Sequence, residues 1–190
     1  LDVGQGAGIL IQTPTGRQVL VDGGSSGQAL LGQLGAVMPF WDRTLDLVVL
    51  THTDADHMTA QMEAAGRYGI EAAWETPAAA ADQASTAWRS AVEAAGAQVQ
   101  VQSGGGWADL GDGGALWVLS PPAQDFGGED ADNQNSLGAK LVYGDFSVLL
   151  TGDAGTAAEQ ALVARGAPVA ATVLKVAHHG SKSATGAVFV

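Results

Sequence analysis

Residues 45–50, LDLVVL, constrain this chain more than any other stretch. A nearly continuous apolar run, β-branched at its centre, predicts a strand covered on both faces. Such a strand needs helices or a second sheet on each side, which favours a layered α/β fold with a mixed sheet, or two sheets. Immediately after it the character changes. The segment Thr51-His52-Thr53-Asp54-Ala55-Asp56-His57 puts two imidazoles and two carboxylates within six residues. Loops at strand ends are where α/β proteins collect functional groups.

The flanking pattern agrees with a layered fold. Residues 8–13 and 17–22 alternate apolar and polar and predict two strands joined by the Pro14-Thr15-Gly16 turn. Helical spacing follows at 28–37, then at 57–67 and 82–95, the last with Ala87, Trp88, Val92 and Ala95 on its core face. Strands are expected at 70–74, 98–102, 115–119 and 172–176. A hairpin of 137–143 with 146–150 turns at Gly144-Asp145, and a helix covers 157–165. Residues 103–106 and 121–135 read as loops. The five tryptophans are expected mostly in the core, with Trp107 the one candidate for base stacking. The chain starts in mid-pattern and stops shortly after a strand, so both ends are expected to be cut from something longer.

Charge enters where partners are considered. The chain has 190 residues, a formal net charge of −12 and no cysteine. Disulfide scaffolds and thiolate metal sites are excluded. A basic surface that grips phosphates along its whole length is excluded too. The first residues lack a basic leader, and no apolar run has the roughly 18–20 residues needed to span a bilayer. Serine-hydrolase chemistry lacks a nucleophile elbow around Ser136 or Ser181. The glycine-rich Gly4-Gln5-Gly6-Ala7-Gly8 precedes a strand, where a dinucleotide site requires a helix.

All four histidines lie in two segments, 52–57 and Lys175-Val176-Ala177-His178-His179-Gly180-Ser181. Crowded imidazoles and carboxylates repel or mispair unless a cation accepts their lone pairs, and a divalent metal does this. On an extended stretch His52 and Asp54 converge on one ion, while Asp56 and His57, at the turn into a helix, face a second. Asp153 ends an apolar strand, where a carboxylate needs a partner; an N-cap role for the next helix is compatible with that. If the His178-His179 pair lies in a strand, its side chains point to opposite faces, so only one imidazole reaches a given ion.

HTDADH resembles the HxHxDH signature of the metallo-β-lactamase superfamily, with Asp54 at the second histidine. DVGQG at 2–6 with VDGG at 21–24 resembles the superfamily's opening hairpin. NQNSL at 133–137, YGDFS at 143–147 with LTGD at 150–153, and LKVAHHGS at 174–181 resemble its later motifs. Five motifs in order cover residues 1–182, and the combination is similar to the C-terminal domain of ComEC-type competence proteins, which import DNA.

The resemblance implies a metallo-β-lactamase-like four-layer αβ/βα sandwich, one domain over 1–190, with its C-terminal elements truncated. It implies two divalent ions, manganese or zinc with magnesium as the alternative, held by His52, Asp54, Asp56, His57, Asp153 and His178. Asp153 bridges them. Asp56 and His179 are the expected catalytic groups, and Ser136, His179 and Lys182 the expected substrate contacts. The activity implied is that of a metal-dependent phosphodiesterase or nuclease acting on DNA during uptake. A free-standing extracellular esterase, or a catalytically weak domain binding DNA or proteins, are the alternatives. The implied location is the extracytoplasmic face of a bacterial cell membrane. There the domain is monomeric, tethered to a transmembrane channel segment of the same polypeptide and near other competence proteins.

Three positions depart from the family pattern. Asn135-Ser136 stands where many relatives have histidine, leaving a site richer in oxygen than nitrogen and relatively better for manganese or magnesium. Ala7 replaces the usual carboxylate of DVGQGD, and Met58-Thr59-Ala60 replaces a Gly-Gly. Two bound ions bring the formal charge to about −8, which predicts weak DNA affinity that depends on metal.

Overall fold

The computed structural model describes residues 1–122, 126–128 and 130–190. Residues 123–125 and 129, within the expected 121–135 loop, lie outside the described residues. The chain forms two compact units, one of Leu1–Glu75 and Ala79–Val101, the other of Thr76–Ala78 and Gln102–Val190.

The first unit is built on a five-stranded sheet in the order β1-β2-β3-β4-β5. β1 (Ile9–Gln12) and β2 (Gln18–Val21) form the expected antiparallel hairpin. β3 (Thr44–Val49), β4 (Gly69–Glu75) and β5 (Gln98–Val101) add in parallel. α1 (Gly27–Val37) crosses from β2 to β3 and is capped by Ser26, whose Oγ accepts from Ala29 N at 3.3 Å. α2 (Ala55–Ala65) and α4 (Ser85–Ala94) supply the next crossovers. The short α3 (Pro77–Ala81) precedes α4.

Leu45, Leu47, Val48 and Val49 of β3 are all buried, so the apolar run is covered on both faces as expected. Trp88, fully buried on α4, donates from Nε1 to Gln61 Oε1 at 2.7 Å. Gln61 Nε2 in turn donates to Val49 O at 2.9 Å, so one amide ties α4 and α2 to the end of β3. At the end of β4 the buried Glu75 is gripped in two prongs by Arg89 Nε and Nη2, at 3.0 and 2.9 Å. This pair raises the Arg89 pKa above its usual value. The 82–95 helix starts later than its periodicity implies, because Asp82 folds into a turn that accepts from Ala84 N. Ser85, Trp88 and Val92 form its buried face and Ala87 is exposed, correcting that assignment.

The second unit carries the sheet β10-β9-β8-β7-β6. β6 (Trp107–Gly111), β7 (Gly114–Ser120), β8 (Gly138–Tyr143) and β9 (Phe146–Leu150) are antiparallel neighbours. β10 (Val173–Leu174) joins β9 in parallel. α5 (Ala131–Gln134) is a single turn in the expected loop, and α6 (Thr156–Ala164) packs Leu162 with Leu119 and Leu149. The Glu159 carboxylate on α6 is buried and accepts from Thr185 N and Gly186 N at 2.6 and 2.8 Å, pinning the C-terminal residues.

β6 escapes the sequence reading because Trp-Ala-Asp-Leu-Gly is short and only Leu110 of it is buried, while Trp107 faces solvent. Trp107 stacks on its cross-strand partner Trp117 at 5.4 Å, both exposed. The tryptophans are therefore not mostly core: only Trp74 and Trp88 are buried. Among the described residues no helix is long and apolar enough to cross a membrane.

Candidate functional site

Parallel register brings the ends of β2 and β3 side by side. Val21 pairs with Val49, and Asp22 N donates to Val49 O at 2.9 Å. Asp22 lies in the left-handed region at φ 55, which Asp tolerates better than most residues. The turn needs glycine next to it: a Cβ at Gly23 would sit 2.8 Å from Gln61 N on α2. A Cβ at Gly6 would meet Asp56 O at 1.8 Å, so only glycine lets the DVGQG loop reach the start of α2. There Ala7 N donates to Asp56 O at 3.3 Å.

Asp22 is the residue that sequence reasoning missed. It is buried, 35 positions before His57, and its Oδ2 lies 2.8 Å from His57 Nδ1. Its Oδ1 accepts from Thr51 N and its Oδ2 from Thr51 Oγ1, both at 2.9 Å. A carboxylate only accepts, so His57 carries its proton on Nδ1 and keeps the Nε2 lone pair. Thr51 has spent its one hydroxyl proton on Asp22. Its contact of 3.0 Å with His52 Nδ1 is then a bond donated by the ring. One carboxylate therefore sets both tautomers, and both imidazoles present an Nε2 lone pair. His52 Nε2 is buried and makes no hydrogen bond among the described residues. The signal in the sequence was that Asp22, like Asp153, ends an apolar strand.

Asp54 and Asp56 begin α2, where the helix N-terminus favours negative charge. Asp54 holds the cap position, but its side chain makes no capping bond to the helix amides, and its Oδ2 lies 3.5 Å from His52 Nε2. Thr53 between them donates to Asp82 Oδ2 at 2.7 Å. The Ala84 amide first, then the Thr53 hydroxyl, hold the Asp82 carboxyl below its usual value of about 3.8.

The second unit presents the other residues at one end of its sheet. β8 starts and β9 ends there, so Ser136 and Asp153 are adjacent. Asp153 N donates to Ser136 Oγ at 3.2 Å. Ser136 is fully buried, and its carbonyl accepts from Ser120 Oγ at 3.0 Å. Its hydroxyl accepts from the Asp153 amide and so holds the Asp153 turn. The parallel β10 delivers the histidine pair to the same end, with His178 N donating to Gly152 O at 3.3 Å.

The pair is not in a strand. His178 and His179 have φ 48 and 51, followed by Gly180 at 82, a left-handed turn. The premise of opposite faces falls with it, because both rings lean on one oxygen: Asp153 Oδ2 is 3.9 Å from His178 Nε2 and 3.2 Å from His179 Nε2. Non-glycine residues in this region cost about 1 kcal/mol or more each, and such strain concentrates at functional sites. Lys182 is exposed two residues beyond Gly180.

These donors fit a divalent ion. Ligands about 2.0–2.2 Å from a tetrahedral ion lie roughly 3.3–3.6 Å from one another. The His52–Asp54 separation of 3.5 Å falls in that range, and the two Asp153 separations bracket it. An imidazole nitrogen buried without a hydrogen bond, His52 Nε2, is the atom such an ion would satisfy. Among the described residues, His and Asp side chains can hold a metal, with the donor set of imidazole and carboxylate alone.

This chain is similar to curated relatives and to solved structures. Competence protein ComA of Neisseria gonorrhoeae is 29% identical over 194 residues, covering 100% of this chain and 24% of the relative. ComE operon protein 3 of Bacillus subtilis (strain 168) is 28% identical over 207 residues, covering 100% of this chain and 26% of the relative. The chain thus spans about a quarter of the length of both. Zn2+-bound PqqB from Methylobacterium extorquens matches in structure with a TM-score of 0.54 at 17% identity, over 75% of this chain and 51% of that one. The model of the metallo-beta-lactamase superfamily matches residues 1–189. With a two-sheet α/β fold of the kind its motifs imply, this chain belongs to the metallo-beta-lactamase superfamily.

Proposed function

We propose that this chain is a divalent-metal-dependent phosphodiesterase, a nuclease that acts on DNA during competence-linked uptake. The observation that carries the metal part is the Asp22–Thr51 relay, which turns the Nε2 lone pairs of His52 and His57 outward from their hydrogen-bonded Nδ1 atoms. The nucleic-acid part is supported by two relatives named for competence or the ComE operon, each aligned along the whole of this chain. The reading treats 1–190 as one domain. It is placed on the extracytoplasmic face of the membrane, monomeric and tethered to a channel segment of the same polypeptide.

His52, Asp54, Asp56, His57, Asp153 and His178 are the proposed ligands of two ions. Manganese or zinc is favoured, with magnesium the alternative. When bound, such ions supply Lewis acidity that polarises a phosphoryl oxygen and acidifies water. The chain's own groups do the rest. Asp22 keeps the protons of His57 and His52 on Nδ1 throughout the cycle. The Asp56 carboxylate accepts a proton from the attacking water. His179, more than a third exposed, donates from its ring to the leaving oxygen. Lys182, exposed beside it, takes a non-bridging phosphate oxygen as a point charge. Ser136, proposed as a substrate contact, also positions the Asp153 turn through its hydroxyl.

The test is cleavage of single- and double-stranded DNA with Mn2+, Mg2+ and Zn2+, beside Asp56→Ala and Asp153→Ala. Metal-dependent cleavage abolished by both substitutions is the expected result. Activity that survives both refutes the two-ion reading. Cleavage of small phosphodiesters but not DNA transfers it to the esterase alternative, and calorimetry without divalent binding transfers it to an interaction domain.

A further inference from the structure

The first unit carries a surface that neither the metal site nor the core accounts for. It is the loop of residues 38–43, between α1 and β3. Phe40 is 81% exposed and Trp41 73% exposed, their rings edge to face at 4.8 Å. Val37, just before the loop, is also exposed. Large aromatic side chains bury about 150–250 Å² in ordinary folds, so two left in water at one loop tip mark an interaction surface. Beside them a concavity of about 460 Å³ is lined by Leu31, Gly32, Arg43, Arg67 and Tyr68. The Arg43 guanidinium lies over the Tyr68 ring at 5.6 Å, and Gly69 N donates to Arg43 O at 2.8 Å, which holds the two arginines together.

Charge says what the surface takes. In a chain of 20 acidic and 8 basic residues, Arg43 and Arg67 are exposed and form no ion pair among the described residues. The one acid of the loop, Asp42, is turned inward: its Oδ1 accepts from Thr44 N at 3.1 Å and its Oδ2 from Gln18 Nε2 at 3.2 Å. What remains outside is aromatic and cationic, the pairing that suits the headgroup layer of a bilayer.

We propose that this loop and concavity are a membrane-docking surface. Phe40 and Trp41 enter a phospholipid bilayer at headgroup depth, and Arg43 and Arg67 bind lipid phosphates. The loop leads into β3 and the His52 segment leaves its other end, roughly 20 Å away for a six-residue strand. Docking there turns the β3 end that carries the candidate site away from the lipid. The inference stands apart from the phosphodiesterase reading, and divalent-ion binding by each variant reports on that reading separately.

The test is co-sedimentation of the chain with vesicles of phosphatidylglycerol mixed with phosphatidylcholine, and with phosphatidylcholine alone, at physiological salt. Vesicle binding that favours the anionic mixture is expected. Arg43→Gln with Arg67→Gln should weaken it roughly 25-fold, about five-fold per arginine at the membrane surface. Phe40→Ser with Trp41→Ser should weaken it by a similar factor, from about half-burial of each ring. Quenching of tryptophan emission by brominated lipid, lost in Trp41→Phe, reads insertion even where a double variant folds poorly. The proposal is overturned if the chain ignores both vesicles, or if both doubles bind as the parent does. It is overturned also if inorganic phosphate alone displaces the chain fully, which assigns the arginines to a soluble anion. A concentration-dependent dimer lost in Phe40→Ser with Trp41→Ser assigns the surface to a second copy of the chain.

Discussion

Asp22→Asn replaces one oxygen by an NH2 and nothing else, yet it should reverse the proton arrangement of both imidazoles in the first unit. In the parent, Asp22 Oδ1 accepts from Thr51 N, while Oδ2 accepts from Thr51 Oγ1 and from His57 Nδ1. An asparagine keeps one oxygen for the backbone amide and turns two donors toward those partners. His57 Nδ1 must then accept, which moves its proton to Nε2. Thr51 Oγ1 accepts from the amide and points its proton at His52 Nδ1, so His52 moves its proton to Nε2 as well. The flipped amide does no better, because it sets NH2 against Thr51 N–H. Both lone pairs that faced outward are lost. Groups that orient metal-binding histidines are worth about 10–100-fold in metal affinity, or roughly 1.4–2.8 kcal/mol. Nitrogen-15 NMR of the imidazoles in metal-free protein should show Nε2 change from lone-pair to protonated type in both rings. Calorimetric titration with Mn2+ or Zn2+ should show the affinity loss. If both Nε2 atoms keep their lone pairs in Asp22→Asn and affinity stays within about two-fold, the relay argument is wrong.

Other outcomes follow from the same geometry. Trp88→Phe keeps most of the buried ring but leaves Gln61 Oε1 without its donor, which should cost about 1–3 kcal/mol in urea unfolding. Ser136→Ala removes the acceptor of the Asp153 amide and should destabilise by a similar amount, about 1–3 kcal/mol, with weaker divalent binding in the same titration. Asp82 has a folded pKa below its unfolded value, so its contribution is present above about pH 4 and lost as pH falls through the folded value. Asp82→Asn should therefore lower stability at neutral pH by roughly 1 kcal/mol or less, given its solvent contact, and the gap to the parent should close in acid melts. Gly6→Ala sets a methyl against Asp56 O and should displace the start of α2, seen as reduced divalent affinity and a lower melting temperature.

Much of this molecule was legible residue by residue. Alternation, apolar runs and helical spacing located β1, β2, β3, β4, β8, β9, α1, α2 and α6 to within two residues at each end, because each carries its apolar pattern within its own short segment. The same logic failed where burial and period part. β6 is an edge strand whose Trp107 faces solvent, and the start of α4 is set by the Asp82 turn. The local convergence of His52 with Asp54 was also readable, since they sit two residues apart.

What the sequence determined alone was the kind of chemistry available: imidazoles and carboxylates at the ends of apolar strands, no thiols, and five motifs in one order. What tertiary structure decided was which groups act on which. Only parallel pairing of Val21 with Val49 carries Asp22 to His57 across 35 residues, and only then do hydrogen-bond donors and acceptors assign the ring protons. Only the backbone reveals that His178 and His179 occupy a left-handed turn and share Asp153, where a strand would have parted them. Periodicity reports how a residue faces its own element. Register between strands, and the sign of φ at a turn, are settled by contacts between residues far apart in the chain.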